Sequence, residues 1–272
     1  MKVYFIDETN TTNNTQMEFV IFGGLVVEPE EIRSASIALL ELKQKFGIKK
    51  ERPIKWPNVN WKGEGILDKN LHAQIKNEIL KIVSKSKFRI IVNLTPQFFY
   101  HSSKLVGSEI KQVIDIDKQE KEFGYAINLT FENFNQYLKE TKDCGFVIAD
   151  SFAQNLRESM VEHCLSLFPK GTNRSELEKI VYPIIELKNE YSPIHQINDV
   201  VLGAISYSLM ESGHNFLPIL KNNFWCRDPQ NKETIIDAGF NIYPSVPRNL
   251  GLKISLQKIT DKFLTNLNEK KG

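Results

Sequence analysis

Two short apolar runs, each closed by an aspartate, constrain this chain more than any other feature. Val3-Tyr4-Phe5-Ile6 ends at Asp7, and Phe146-Val147-Ile148-Ala149 ends at Asp150. Runs this short, rich in β-branched and aromatic residues and free of breakers, read as buried strands. A third aspartate, Asp199, lies in the apolar stretch Ile194-His195-Gln196-Ile197-Asn198-Asp199-Val200-Val201-Leu202, which reads as a helix. An aspartate ending a strand also serves as an ordinary turn former. A carboxylate inside an apolar helix is costly to bury alone and wants a partner, a metal or solvent.

The remaining elements follow from periodicity. Residues 17–27 read as a second strand forming a hairpin with the first, and Gly23-Gly24 within it implies a bulge or a close backbone approach. Glu28-Pro29-Glu30-Glu31 opens a helix. Residues 48–65 are irregular, broken by Pro53, Pro57, Gly63 and Gly65. A helix is expected over 66–84, a strand over 88–94 and a helix over 120–139. The aromatic stripe of that last helix, Phe123, Phe131 and Phe134, reads as core. Residues 95–117 resist assignment and suit a mobile loop or lid. Then come a helix over 156–168, a strand over 180–187 that Pro183 confines to an edge or a bulge, a helix over 193–210 and a helix over 252–267. Residues 211–250, rich in Gly, Pro and Asn, are expected to wrap the surface. A hairpin followed by alternating elements implies an α/β fold: one mixed sheet with helices on both faces. No linker divides it, so residues 1–272 form a single domain, with 211–272 as a C-terminal wrap and helix.

Composition narrows the classes. Scattered cysteines, three in number, suit neither a disulfide framework nor a zinc cluster, and point to a reducing cytoplasm. No apolar run reaches the ~20 residues of a membrane span, and acids at the N-terminus exclude a signal peptide. The formal net charge is +2. One stretch is locally basic, with Lys43, Lys45, Lys49, Lys50, Arg52 and Lys55 opposed only by Glu51. It suits either a phosphate backbone or a solvated face.

If the fold brings Asp7, Asp150 and Asp199 together, their repulsion calls for a hard cation, Mg²⁺ or Mn²⁺. Paired cations held by carboxylates are the apparatus of phosphodiester hydrolysis. Asp7, on a rigid strand, suits the shared ligand. Asp150 and Asp199 complete the sites. Gln196, three residues before Asp199, can face the same way and orient a phosphate or a water. Glu8 is a further ligand if the strand has ended. His195 is spaced four residues from Asp199, but no second histidine supports a zinc site. It suits proton transfer, phosphate contact or a structural role. No phosphate-loop, dinucleotide, nucleophile-elbow or zinc-protease motif is present.

Several segments resemble, in order, the family catalogued as domain of unknown function 3800. They are Tyr4-Phe5-Ile6-Asp7-Glu8 with Phe19 to Val27, then Ile54-Lys55-Trp56, Val147 to Ser151, and Ser192 to Asp199. The resemblance spans roughly residues 2–210. It implies a ribonuclease H-like fold and a metal-dependent nuclease, in a phage-defence or mobile-element setting. It implies Asp7, Asp150 and Asp199 as metal-binding acids and Lys55 and Gln196 as phosphate-contacting neighbours. Nucleic acid, DNA or RNA, is the expected partner, with a protein partner or a homo-oligomer also open. Two positions depart from the pattern. Pro53 stands where the family carries Glu, so Glu51 is the substitute candidate for a fourth acid, and Asn198 stands where a small residue is usual. The alternative is a catalytically weakened module of the same fold that binds nucleic acid or protein. A hydrolase or transferase of small phosphorylated molecules is a further option.

Overall fold

The computed structural model describes residues 1–9, 19–96, 101–106, 109–114, 116–151, 157–210, 215–228, 232–243 and 250–269. The elements in chain order are β1 (Lys2–Thr9), β2 (Phe19–Val27), α1 (Pro29–Lys45), α2 (Lys69–Lys85), β3 (Arg89–Pro96), β4 (His101–Val106), β5 (Glu109–Ile114), α3 (Ile116–Glu140), β6 (Gly145–Ala149), α4 (Arg157–Lys170), β7 (Ile180–Glu186), α5 (Pro193–Met210), α6 (Leu217–Leu220), β8 (Phe240–Ile242) and α7 (Leu250–Asn268). The main sheet has six strands in the order β7-β6-β1-β2-β3-β8. β1 pairs antiparallel with β2, and β2 with β3. β1 with β6, β6 with β7, and β3 with β8 run parallel. The protein is therefore α/β with a mixed sheet.

Alternation along the strands divides the core in two. Val3, Phe5, Leu25 and Val27 pack with Leu39 of α1, Ile79 of α2 and Ile197, Val201 and Ile205 of α5. Tyr4, Ile6, Phe22 and Val26 pack on the other face with Phe123, Ile127, Phe131 and Phe134 of α3 and Met160 and Cys164 of α4. The α3 aromatic stripe is core, as its spacing implies.

Gly23-Gly24 makes a close approach without a bulge. Register through both residues is unbroken on either side, from Val3↔Val27 to Thr9↔Ile21 and from Phe19↔Pro96 to Val26↔Arg89. A Cβ at Gly23 (φ 138°) would strike the Ile91 carbonyl, to which the buried Tyr4 hydroxyl donates at 2.6 Å. A Cβ at Gly24 would strike the Phe5 carbonyl and the Asn198 amide. Glycine here lets α5 lie close over the sheet.

Several expectations are corrected. The 211–250 segment is more than a wrap: Phe240–Ile242 adds a strand beside β3, and Leu217, Leu220 and Ala238 are fully buried. The unassigned 95–117 region holds the end of β3 and an antiparallel pair, β4 with β5. β7 does lie at the sheet edge, and its pairing with β6 shifts register between Phe146 and Ile148. The helix expected from residue 66 starts later, where the Asp68 side chain caps the N–H groups of Asn70 and Leu71. Among the described residues no helix is long and apolar enough to cross a membrane.

Candidate functional site

Asp7 and Asp150 meet at the carboxyl ends of adjacent parallel strands. The pairing runs from Lys2↔Gly145 to Ile6↔Ala149, and Asp150 N–H donates to the Ile6 carbonyl at 3.0 Å. Alternation puts both carboxylates on the face that α5 covers, since Phe5 and Ile148 pack into that core. α5 carries Asp199 over the same end. Burial first, then the charges of Glu8, Asp199 and Asp150, hold the Asp7 carboxyl well above the usual carboxylate range. Asp199 is pushed up to about 6 by burial, against the pull of the Trp56 N–H and Lys55, with Asp150 adding repulsion.

Each aspartate is oriented by backbone. Asp7 Oδ1 accepts from Glu8 N–H at 2.8 Å. Asp150 Oδ1 accepts from Ser151 N–H at 2.8 Å and from Asn189 N–H at 2.9 Å. Asp199 Oδ1 accepts from Trp56 N–H at 2.5 Å, and its Oδ2 lies 3.9 Å from Lys55 Nζ. These bonds fall on a single oxygen in Asp7 and in Asp150, so the second oxygen of each is not committed to backbone.

The other candidates divide. Lys55 stands at the site, with its side chain 35% exposed beside Asp199. Glu8 follows Asp7 on the opposite pleat, opposite Phe22. Burial and the charge of Asp150 push its carboxyl up to about 7, and Lys55 pulls the other way. Gln196 is 2% exposed and spans two protein groups: its Oε1 accepts from Ile54 N–H and its Nε2 donates to the Asn189 carbonyl, both at 3.2 Å. Its carbonyl and one amide hydrogen are therefore engaged in bracing the segments that hold Asp199 and Asp150. Glu51 is exposed, and its charge acts on Lys43 while contributing nothing to the shifts of Asp7, Glu8 or Asp199. Its place is at the surface, while Arg52, Pro53 and Ile54 after it are buried. His195 is fully buried, edge-on to the Phe5 ring with centroids 5.2 Å apart, its Nε2 3.3 Å from the Ile148 carbonyl. Burial lowers its pKa, so it is a neutral packing element.

The basic stretch divides: Lys43 and Arg52 are buried, whereas Lys45, Lys49 and Lys50 are exposed. Lys43 is 1% exposed and donates to the carbonyls of Lys50 (3.0 Å) and Arg52 (2.7 Å); burial pushes it down to about 8. Arg52 is buried and donates to the Gly65 carbonyl at 2.7 Å, and Lys49 pairs with Glu64 at 2.7 Å. These three cations hold the irregular 48–65 segment in shape and are not a phosphate-facing row.

Periodicity misses two contributors. Asn189, in the 3-10 turn Asn189–Tyr191, supplies the N–H that fixes Asp150. Gly203 admits the Trp56 ring against α5. A glycine inside an otherwise strong helix pattern is the available signal for the second.

Hard oxygen donors, partly desolvated and repelling one another, are the donor chemistry a magnesium-type dication takes. Among the described residues no set of three His, Cys, Asp or Glu side chains is spaced to hold an ion as it stands. Mg²⁺ tolerates that, since it is commonly held by one or two carboxylates with waters and substrate phosphates completing its shell. Asp7 and Asp150, opposite one another on adjacent strands, are the two acids that could supply such a pair.

No protein-family model, no curated protein and no solved structure matches the chain. The likeness to the family of unknown function 3800 thus stands on its short motifs alone.

Proposed function

We propose that this protein is a metal-dependent phosphodiesterase acting on nucleic acid, built on a ribonuclease H-like sheet. The observation that carries the proposal is the convergence of Asp7 and Asp150 at neighbouring parallel strand ends, under Asp199 of α5. The strand order β7-β6-β1-β2-β3 supports the fold: antiparallel through β1, β2 and β3, and parallel through β1, β6 and β7. Asp7 and Asp150 would hold Mg²⁺ or Mn²⁺, with Asp199 closing the cleft. Such a cation supplies an acidified water and neutralises charge on a phosphoryl oxygen. Lys55 offers a positive charge to a second phosphate oxygen. Glu8, on the opposite pleat, is outside this pair, and its charge helps to raise the Asp7 carboxyl. Gln196 acts at one remove, by fixing the segments that carry Lys55 and Asn189.

The test is incubation of the purified protein with labelled DNA and RNA, in Mg²⁺ or Mn²⁺. Cleavage that Asp150→Asn abolishes is expected. No cleavage of any polynucleotide, or cleavage unaffected by that substitution, overturns the proposal. The position of Glu51 favours a second reading, a weakened module that binds nucleic acid without cutting it. That reading requires tight, salt-dependent binding with no divalent ion retained by calorimetry.

A further inference from the structure

Four residues of α5 at helical spacing meet the 54–56 segment one above another. Gln196 Oε1 takes the Ile54 N–H at 3.2 Å, and Asp199 Oδ1 takes the Trp56 N–H at 2.5 Å. One turn on, Gly203 leaves room for the Trp56 ring: a Cβ there would overlap Trp56 Cβ and Cγ. A turn further, the Tyr207 ring lies 5.8 Å from the Trp56 ring, centroid to centroid. α2 closes the other side. Lys76 Nζ sits 4.0 Å above the centre of the Trp56 ring, and His72 Nε2 bonds the Lys55 carbonyl at 2.9 Å. Backbone and ring are gripped between two helices. The Lys55 side chain alone leaves the grip, with its ammonium 3.9 Å from Asp199 Oδ2.

We infer that Gly203 is a receptacle for Trp56, and that this seating fixes the Lys55 ammonium beside the Asp199 carboxylate as the group that receives a phosphodiester oxygen. Gly203 and Trp56 are then positioning residues for Lys55. The seating rests on packing alone; the phosphate rests on the hydrolase reading above. Glycine is a poor helix former, so its place inside α5 needs a packing reason, and the ring supplies one. A Cβ at Gly203 would strike Trp56 Cβ as well as its ring, so the clash passes to the Trp56 backbone, and the next residue back is Lys55. Displacements of about 1 Å in such groups cost on the order of 10²-fold in rate.

The experiment uses the full chain with its lysines reductively ¹³C-methylated, in cation-free buffer, and the Lys55 resonance assigned by its loss in Lys55→Arg. In the unaltered protein that resonance is expected apart from the bulk of surface lysines, and Asp199→Asn moves it. Gly203→Ala should return it to the bulk position while cooperative unfolding persists. In cleavage assays Gly203→Ala should lower kcat at least ~10-fold, with a smaller change in KM. Should Gly203→Ala not fold, Trp56→Leu gives the same reading by vacating the receptacle. A folded Gly203→Ala or Trp56→Leu with an unmoved Lys55 resonance overturns the inference. A moved resonance in a protein that cleaves no polynucleotide overturns the phosphate role and the hydrolase reading, and leaves the seating in place.

Discussion

Asp199→Asn should stabilise the protein when no divalent cation is present, and most above acidic pH. The Asp199 carboxyl is 15% exposed and pushed up to about 6, against an ordinary value of ~3.9. A carboxyl raised in the folded state is held without cost below its unfolded value. The cost grows as pH rises through the folded value and is complete above it. At ~1.4 kcal/mol per pH unit, the ionised form costs the fold roughly 3 kcal/mol near pH 7.5. Asparagine is neutral at every pH and keeps an acceptor for the Trp56 N–H; the pull of that N–H and of Lys55 is already inside the value of about 6. The net gain is about 3 kcal/mol, or roughly 6–12 °C in Tm for a chain of this size. Differential scanning calorimetry in EDTA at pH 7.5 and pH 4.5 measures it. The gain should be full at pH 7.5, cut to roughly a third at pH 4.5, and reversed by saturating Mn²⁺, which stabilises the unaltered protein more. No gain at pH 7.5, or an equal gain at both pH values, would refute the electrostatic reasoning.

Gly24→Ala should lose at least ~3 kcal/mol by chemical denaturation, because its methyl meets the Phe5 carbonyl and the Asn198 amide at φ 157°; a near-neutral change would mean that α5 can lift from the sheet. Gln196→Ala should cost ~2–4 kcal/mol by orphaning the Ile54 N–H and the Asn189 carbonyl, and hydrogen exchange should quicken at both segments. Asn198→Leu replaces a fully buried amide whose nitrogen and oxygen both lack a hydrogen-bond partner, so stability should hold or rise by ~1–3 kcal/mol; a clear loss would show that the amide is satisfied.

The acids and their elements were legible in the sequence because the signals are local. A strand-ending aspartate and a helix-borne one each show in a few neighbouring residues. The shared face follows from alternation, since residues 3, 5 and 7 point one way. β8 was not legible: three residues carry almost no propensity, and its strand character comes from its neighbour β3. The division of the basic stretch is hidden for a related reason. Lys43 and Arg52 are charged in the sequence but spend their donors on carbonyls of an irregular segment, and no periodicity announces a lysine that caps a loop. Gln196 was legible as facing the same side as Asp199. Its engagement with Ile54 and Asn189 required both partners to be in place.

β1 occupies the middle of the sheet, yet its neighbour β6 is drawn from the second half of the chain, and α5 comes later still. A growing polypeptide carries Asp7 well before Asp150 and Asp199 have been made. The three aspartates come together only once α5 has been made and has settled over both strands, so assembly order itself withholds the cluster from every unfinished copy.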